Sequence, residues 1–344
     1  MSIYKGVFNI STDRMLVLGD IHGDLDLLLN SLLIGKVIKQ VYDKENTIEL
    51  VYKTEKVPRK YIWTGGNTIL VQVGDQIDRC RPTTTNQCIN EDATFEDEAS
   101  DLRIMKFMTD LAKTAKKVGG RVINLLGNHE IMNVRGEEHD YDYVSYEGLK
   151  EFTPPKKKVN KIFRQTQFKR GSVIARYLAK TRFTIVYLNG YIFAHAGLID
   201  ALLKNKEFIN LDLKELINTI NKEVICWLKY PTYSSSKVEY ILNNLESPLW
   251  VRTLGSIPPS LPIDDDKCRD INEIIKKFGI KGMCIGHTPQ LIHGASINGT
   301  CSNKLFRVDV ASSKAFNTVL DNTKNELRKN QILEIKDDKY KVLK

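Results

Sequence analysis

The sequence lacks several patterns that identify common protein classes. It has six cysteines in 344 residues, and none forms a Cys-x-x-Cys pair, which argues against a structural zinc knuckle or a thioredoxin-type redox site. No eighteen apolar residues run together, and the first residues open no apolar stretch of signal-peptide length. We therefore expect a cytoplasmic protein with no membrane contact, in a reducing compartment. Cys80 and Cys88 are close enough in sequence for a local disulfide if they become oxidised.

Charge is concentrated in two short stretches. The formal net charge is +9, and residues 150–182 hold eleven Lys or Arg against one acid. Residues 91–101 hold six acids and no base. We interpret both stretches as solvated surface. A basic stretch can also meet nucleic acid, but no interleaved aromatic residues accompany this one, so nucleic-acid binding is not expected.

Apolar runs alternate with helical patterns in the first half of the chain. Three runs, 15–18, 68–73 and 121–126, are each followed by Gly-Asp or Gly-Asn and are typical of buried strands. Leucines at helical spacing over 25–33 and an amphipathic pattern over 99–118 predict helices between them. Strands alternating with helices indicate βαβ units and an α/β fold.

The second half of the chain mixes different signals. Asn189-Gly190 stands between two apolar runs and predicts a hairpin. Further elements are predicted as a helix over 211–228 and strands over 282–285, 305–310 and 331–335. No repeat or long linker is present, so we expect one domain over 1–344, with surface insertions near 79–98 and 135–170.

Five segments share one design, in which an apolar strand ends and a metal-binding side chain follows. Ligands in α/β folds usually bind at the ends of strands, and adjacent glycines permit tight turns there. Four of the six histidines fall in these segments, whereas His139 and His293 do not and are expected at the surface. The side chains are, in order, Asp20 with His22, Asp75, Asn128 with His129, His195, and His287.

These segments resemble the ordered motifs of the calcineurin-like metallophosphoesterases, most of all the phosphoprotein (serine/threonine) phosphatase branch. The resemblance implies the α/β metallophosphoesterase fold, in which two mixed β-sheets form a sandwich flanked by helices. The matching segments are Gly19-Asp20-Ile21-His22-Gly23, Gly74-Asp75-Gln76-Ile77-Asp78-Arg79, Gly127-Asn128-His129-Glu130, His195-Ala196-Gly197 and Gly286-His287-Thr288.

The resemblance assigns the ligands of two metal ions, divalent or trivalent; Mn, Fe and Zn all suit such ligands. Asp20 and His22 would bind the first ion, and Asp75 would bridge both. The second ion would be completed by Asn128, His195 and His287.

The resemblance also implies the catalytic groups. His129 would be the general acid at the leaving oxygen, oriented by Asp78. Arg79 would clamp the phosphate, and Arg252 is the candidate for a second arginine. The implied reaction is hydrolysis of phosphoserine or phosphothreonine in a phosphoprotein or phosphopeptide by direct attack of a metal-bridging water.

Two departures from the family pattern leave alternatives open. Cys80 and Ala196 stand where glycine is usual, and both replacements resemble the Shewanella-like branch, so phosphotyrosine is also considered as substrate. A diadenosine-polyphosphate or other nucleotide phosphoesterase usually carries Asp where Glu130 stands. A cyclic-nucleotide or nucleic-acid phosphodiesterase would require residues 150–182 to line the site. A non-catalytic phosphoprotein-binding relative would usually have lost a ligand or the general acid.

Overall fold

The computed structural model describes residues 5–42, 47–51, 58–318 and 329–344. Its strands, in chain order, are β1 (Val7–Phe8), β2 (Met15–Leu18), β3 (Ile38–Val41), β4 (Ile48–Leu50), β5 (Arg59–Trp63), β6 (Ile69–Gln72), β7 (Arg121–Asn124), β8 (Ile185–Leu188), β9 (Tyr191–Ala194), β10 (Gly282–Ile285), β11 (Asn298–Thr300), β12 (Leu305–Arg307), β13 (Ile332–Lys336) and β14 (Lys339–Leu343).

The α-helices lie between and after these strands. They are α1 (Leu25–Ile34), α2 (Asp101–Lys117), α3 (Asn128–Arg135), α4 (Tyr146–Lys150), α5 (Lys161–Phe168), α6 (Val173–Thr181), α7 (Asp200–Lys204), α8 (Leu213–Lys229), α9 (Ser236–Asn243) and α10 (Arg269–Phe278). Short 3₁₀ turns occur at Asp266–Cys268, Leu291–His293 and Lys314–Thr318.

Two mixed sheets carry the fold. One has six strands in the order β1-β8-β9-β10-β12-β11, and the other has five in the order β14-β13-β2-β6-β7. Strands β2, β6 and β7 run parallel, as do β9, β10 and β12. A three-stranded sheet, β3-β5-β4, is separate from both.

The two large sheets pack face to face. Val17 and Val71 from the five-stranded sheet share one buried cluster with Phe193 and Phe306 from the six-stranded sheet. The outer face of the five-stranded sheet packs against α1 and α2, and that of the six-stranded sheet packs against helices that include α6 and α8. Burying apolar area on both faces of each sheet is the main stabilising contribution to such a core. The sandwich expected from the resemblance is confirmed.

The first strand and helix show how local sequence sets up the site. The four residues of β2 are all buried, so this strand lies within the sandwich and delivers the following loop to its edge. Asp24 caps α1 by accepting a hydrogen bond from the backbone N–H of Leu27 at 3.0 Å. The helix buries leucines 25, 28, 29 and 32, which fixes it against the sheet. The loop over 19–23 is therefore held at both ends.

Most predicted elements are confirmed, with shifts of one to three residues at their ends. β2, β9 and β10 match their predictions, and β8 and β9 form the predicted hairpin. The run 305–310 is strand only as far as Arg307, so that Asp309 falls in the loop that follows. Within the described part of the chain, every helix is too short or too polar to span a bilayer.

Two disulfides correct the expectation of reduced cysteines. Cys80 is bonded to Cys88, the local pairing left open above, and Cys268 is bonded to Cys301, a pairing that was not foreseen. Cys226 and Cys284 take part in neither disulfide. Disulfides are typical of oxidising compartments, so a cytoplasmic location stays a prediction.

Candidate metal centre

The predicted metal-binding side chains lie where five strands end. The carboxyl ends of these strands meet at one edge of the sandwich, so residues far apart in sequence become neighbours. Asp20 and His22 follow β2, Asp75 follows β6, Asn128 follows β7, His195 follows β9, and His287 follows β10.

A first group of donor atoms forms around Asp20, His22 and Asp75. Nε2 of His22 lies 3.8 Å from an oxygen of Asp20 and 3.7 Å from Oδ2 of Asp75. Bonds of about 2.0–2.2 Å to one ion would put its ligand atoms roughly 3–4 Å apart. The observed spacing is in that range, so these three side chains fit a metal ion.

A second group forms on the other side of Asp75. Nε2 of His195 lies 3.3 Å from Oδ2 of Asp75 and 2.8 Å from Oδ1 of Asn128. Nδ1 of His287 lies 3.1 Å from the same His195 nitrogen. Oδ2 of Asp75 therefore belongs to both groups of donor atoms.

Each of the three histidines uses its other ring nitrogen to bind the backbone. Nδ1 of His22 lies 3.2 Å from the carbonyl oxygen of Ile77. Nδ1 of His195 contacts the carbonyl of Val73 at 2.9 Å, and Nε2 of His287 contacts that of Trp250 at 3.1 Å. Donation to these carbonyls fixes the tautomer and leaves the opposite nitrogen able to bind metal, as in known metal sites.

The pKa values of these groups reflect burial and mutual charge. Burial raises the pKa of Asp20 well above its usual range, and Asp309 and Asp75 raise it further. Burial lowers the pKa values of His22 and His287, which keeps both imidazoles neutral. Burial also raises the pKa of Asp75, but His195 and His129 outweigh it and the net shift is strongly downward.

The residues therefore fit two metal ions. Carboxylates held together in a buried site repel one another, and bound cations offset that cost. Neutral imidazoles, carboxylates and an amide oxygen are donors that Mn, Fe and Zn accept. His129 also lies near the first group, with Nε2 3.9 Å from Oδ2 of Asp75.

His129 is oriented by Asp78, as the resemblance implied. Nδ1 of His129 contacts Oδ2 of Asp78 at 2.8 Å, while its Nε2 faces the cavity. Asp78 is fully buried and accepts hydrogen bonds from Asn133 at 3.0 and 2.9 Å. Arg164 adds a contact to Asp78 at 3.0 Å. The imidazole thus rests on a carboxylate that is itself held on two sides.

Arg164 was not identified from the sequence as a site residue. Its guanidinium is fully buried, pairs with Asp101 at 2.8 Å as well as with Asp78, and packs against the rings of both Phe152 and Phe168. It comes from the basic stretch 150–182, which was expected to be solvated surface. Nothing in its local sequence distinguishes Arg164 from the exposed lysines around it.

Glu130 ties the loops of the site together. Its carboxylate accepts from the backbone N–H groups of Gly127 at 2.7 Å, Gln76 at 2.8 Å and Asp75 at 3.1 Å. Burial and the charge of Asp75 raise the pKa of Glu130 to about 6. Gly127 is required here because a Cβ at this position would lie 2.1 Å from an oxygen of Asp75.

The donor groups open into a cavity of about 440 Å³. Aromatic side chains on its wall are Tyr143, Trp250 and Phe316, and the cationic ones are Arg81, Arg135 and Arg252. Arg252 lies there as predicted and donates to the carbonyl of His287 at 3.0 Å. The exposed His139 stands at the rim, and His293 is half-buried outside the cavity.

Arg79 does not reach the cavity, contrary to the prediction. Its side chain is 2% exposed. It forms an ion pair with Glu98 at 2.5 Å and donates to the backbone carbonyls of Gly23 at 2.8 Å and Glu96 at 3.0 Å. The acidic stretch that seemed to be solvated surface therefore supplies the partner that holds Arg79 away from the cavity.

Asp309 is a further residue that the sequence interpretation missed. It lines the cavity and is 2% exposed. Its Oδ1 accepts from the backbone N–H of Ala311, whereas its Oδ2 has no hydrogen-bond partner among the described residues. Burial raises its pKa to about 6. An unpaired buried carboxylate oxygen beside the donor groups is consistent with a site built for cations.

Comparison with known proteins agrees with this geometry. The family model described as calcineurin-like phosphoesterase matches residues 14–291. An uncharacterized protein of Acanthamoeba polyphaga mimivirus is 35% identical over 251 residues, covering 69% of this chain and 96% of the relative. Shewanella-like protein phosphatase 2 of Arabidopsis thaliana is 26% identical over 340 residues, covering 88% of this chain and 72% of the relative.

A solved structure has the same fold. The cold-active protein-tyrosine phosphatase of a psychrophile Shewanella species matches with a TM-score of 0.62 and 18% identity, covering 100% of this chain and 85% of that one. At this identity the likeness concerns the fold alone. The family match, the sandwich and the convergent donor groups agree: this chain belongs to the calcineurin-like phosphoesterase family.

Proposed function

We propose that this protein is a metal-dependent phosphoprotein phosphatase that acts on phosphoserine or phosphothreonine, with phosphotyrosine as a further substrate to test. The observation that carries the proposal is the shared oxygen of Asp75, which lies within 3.7 Å of His22 Nε2 on one side and 3.3 Å of His195 Nε2 on the other. The names of the phosphatase relatives support a phosphoprotein substrate.

The proposed roles follow from the positions of the side chains. Asp20, His22 and Asp75 would hold one ion, and Asp75, Asn128, His195 and His287 the other; Mn, Fe or Zn is proposed. When bound, two such ions activate a water for direct attack and offset the charge of a phosphate.

The protein's own groups complete the chemistry. Nε2 of His129 would donate a proton to the leaving oxygen, because Asp78 holds the ring with that nitrogen facing the cavity. Arg252 at the cavity wall would bind a phosphate oxygen. The roles need no covalent phosphoenzyme.

The positions of the side chains argue against a nucleic-acid phosphodiesterase and against a cysteine-dependent phosphatase. The residues described in the cavity wall include none from 150–182, so the basic stretch does not line the site as a nucleic-acid phosphodiesterase would require. Cys301 and Arg307 have the Cys-x5-Arg spacing of cysteine-dependent phosphatases, but Cys301 is disulfide-bonded and Arg307 donates to Asn298 and to the Ile257 carbonyl. That pair has no free thiol for catalysis.

A metal-titrated activity profile tests the proposal. Stripped protein is reloaded with Mn²⁺, Fe²⁺ or Zn²⁺ and assayed on phosphoserine, phosphothreonine and phosphotyrosine peptides, beside diadenosine tetraphosphate and cyclic AMP. We expect phosphopeptide hydrolysis that depends on added metal. The Asp75→Asn variant should lose bound metal and activity together, because the bridge is lost.

The same experiment can refute the proposal. Faster turnover of the dinucleotide than of every peptide would identify a nucleotide phosphoesterase instead. Failure of the metal-loaded protein to hydrolyse any substrate would favour a non-catalytic phosphoprotein-binding protein. Full metal content in Asp75→Asn would contradict the bridging role.

A further inference from the structure

Arg81 lies beside the first group of donor atoms. Its Nη2 is 2.6 Å from Nε2 of His22, the ring nitrogen that faces Asp20 and Asp75. The side chain forms part of the cavity wall. This guanidinium is therefore within hydrogen-bond distance of an atom that is proposed to bind metal.

Packing fixes the plane of this guanidinium. Its central carbon lies 4.6 Å from the ring centroid of Phe316 and 5.7 Å from that of Tyr143. Nη1 donates to the backbone carbonyl of Cys80 at 2.7 Å. A guanidinium held in one plane presents its donor fork already oriented, so less conformational entropy is lost when it binds an oxyanion.

The backbone at Arg81 is also constrained. The preceding residue, Cys80, is disulfide-bonded to Cys88, and its backbone N–H donates to the carbonyl of Tyr143 at 3.2 Å. The following residue is Pro82, which restricts the conformations open to the residue before it. The backbone of Arg81 is therefore held in place, although the segment around it contains no helix or strand.

Carboxylates around the cavity attract this cation. Those that act on Arg81 are Asp75, Asp309, Asp78 and Asp20. Burial lowers the pKa of Arg81, but a guanidinium stays protonated in proteins. The segment thus places a permanent positive charge at the edge of the proposed metal site, where a phosphate would meet it.

Arg79, two residues earlier, has the opposite environment. Its donors are directed to Glu98 and to backbone carbonyls, and it is not part of the cavity wall. To enter the cavity it would have to break a buried ion pair and leave Glu98 without its partner. Unpairing a buried charge is strongly unfavourable, so this arginine stays where it is.

We propose that Arg81, rather than Arg79, is the arginine of this segment that binds the phosphate oxygens of the substrate. This inference rests on the proposed function, because it requires a phosphoryl group in the cavity. A phosphate oxygen carries negative charge, so a guanidinium binds it more strongly than it binds a neutral imidazole. The donor that contacts His22 in this structure therefore turns to the phosphate, and Arg79 holds the acidic segment in place.

Binding of inorganic phosphate to the metal-loaded protein, measured by calorimetry, tests this assignment without turnover. Arg81→Ala should raise the Kd for phosphate roughly 10- to 150-fold, the range for losing a charged hydrogen bond. Arg81→Lys should give an intermediate Kd, because an ammonium keeps the charge but not the fork. Metal content, measured for each variant, should match wild type.

The matched control is the double variant Arg79→Met/Glu98→Gln, which removes both partners of the buried ion pair together. It should bind phosphate within about twofold of wild type, because neither side chain touches the cavity. Thermal melting checks that it is folded. If it is not, Arg79→Lys, which keeps the pair with Glu98, gives the same comparison.

The outcomes separate this assignment from the proposed function. Wild-type affinity for phosphate in Arg81→Ala, or no phosphate binding by the wild-type protein, would overturn the assignment. A large loss in the folded Arg79 control would return the role to Arg79 and overturn it as well. Phosphate binding that depends on Arg81 in a protein that hydrolyses no phosphopeptide would uphold Arg81 and reject the phosphatase.

Discussion

Two kinds of segment meet at the metal centre, and they hold their side chains in different ways. In the strand-end segments the backbone conformation fixes the side chains. Asp75 and His287 have φ values of 52° and 65°, in the left-handed region, and each follows a glycine. In the segments 79–98 and 135–170, contacts between side chains fix the structure. These contacts are the Arg79–Glu98 ion pair, the Cys80–Cys88 disulfide and the ion pairs of Arg164.

This difference indicates which segments supply the reacting groups and which support them. Backbone strain of this kind is tolerated at functional sites when the surroundings fix it, and here Glu130 binds three backbone N–H groups of the strand-end loops. The other two segments supply Arg81 and Tyr143 to the cavity wall and Arg164 to the support of His129. We infer that the strand-end segments supply the donor groups and His129, whereas the other segments supply Arg81 and the support of His129.

The largest effect on turnover should come from a strand-end residue. His129→Asn removes the proposed proton donor and should lower kcat by roughly 10²- to 10⁴-fold. Metal content, measured by mass spectrometry, should not change if His129 is an acid. Loss of one metal ion in this variant would make His129 a ligand, and the proposed division of roles would then need a new general acid.

A smaller loss of turnover is expected when Arg164, which supports His129 from segment 135–170, is replaced. Arg164→Met leaves Asp78 and Asp101 without their buried cation, which should cost about 3–5 kcal/mol of unfolding free energy. We expect kcat to fall less than in His129→Asn, because the imidazole is kept but loosely held. Denaturant unfolding and steady-state kinetics measure the two effects.

A double variant separates the effect of Arg164 on the orientation of His129 from its effect on the free energy of unfolding. Adding Asp101→Asn to Arg164→Met removes one of the unpaired carboxylates and should recover part of the unfolding free energy. The kcat should not recover, because Asp78 still lacks its partner. A kcat that returns with stability would mean that Arg164 has no positioning role.

The two disulfides should differ in what they affect. Cys80→Ser/Cys88→Ser should lower unfolding free energy by about 2–3 kcal/mol, given a loop of eight positions, and should also raise KM, because Arg81 follows Cys80. Cys268→Ser/Cys301→Ser removes the disulfide that closes a longer loop of 33 positions, and it should destabilise the protein without changing KM. Equal changes in KM for both pairs would contradict the assignment of Arg81 to the substrate site.

The smallest effect on activity should come from replacing Glu151, in segment 135–170. Burial and the charge of Asp101 raise the pKa of its carboxyl group to about 8. A raised pKa means that stability falls as pH rises from the usual carboxyl range towards 8, because the unfolded state releases its proton there while the buried carboxyl keeps it. Glu151→Gln should therefore be more stable than wild type at pH 8 and equal to it at pH 4, with unchanged kcat. Melting curves at both pH values test this, and a constant difference would contradict the shift.

The strand-end donor groups could be predicted from sequence because each depends on a local pattern, an apolar strand followed at once by a polar side chain, with a glycine beside most of them. Asp309 follows a strand too, but the strand predicted over 305–310 included Asp309 and so hid the strand end at Arg307. Arg79 was misplaced because its partner, Glu98, lies in a segment without regular structure. Arg164 pairs with Asp78 across 86 positions of the chain, a contact that no local pattern reveals.

The pairing of β13 with β2 has a consequence for how the protein is made. Leu333 pairs with Val17, so the strand that delivers Asp20 and His22, which pairs with β6 on one edge, gains its second neighbour from a segment much later in the chain. Until then β2 presents an unpaired apolar edge, which is prone to join other chains. A nascent chain would therefore keep this edge open until β13 has been made, and a chaperone that covers the edge would lower the risk of aggregation.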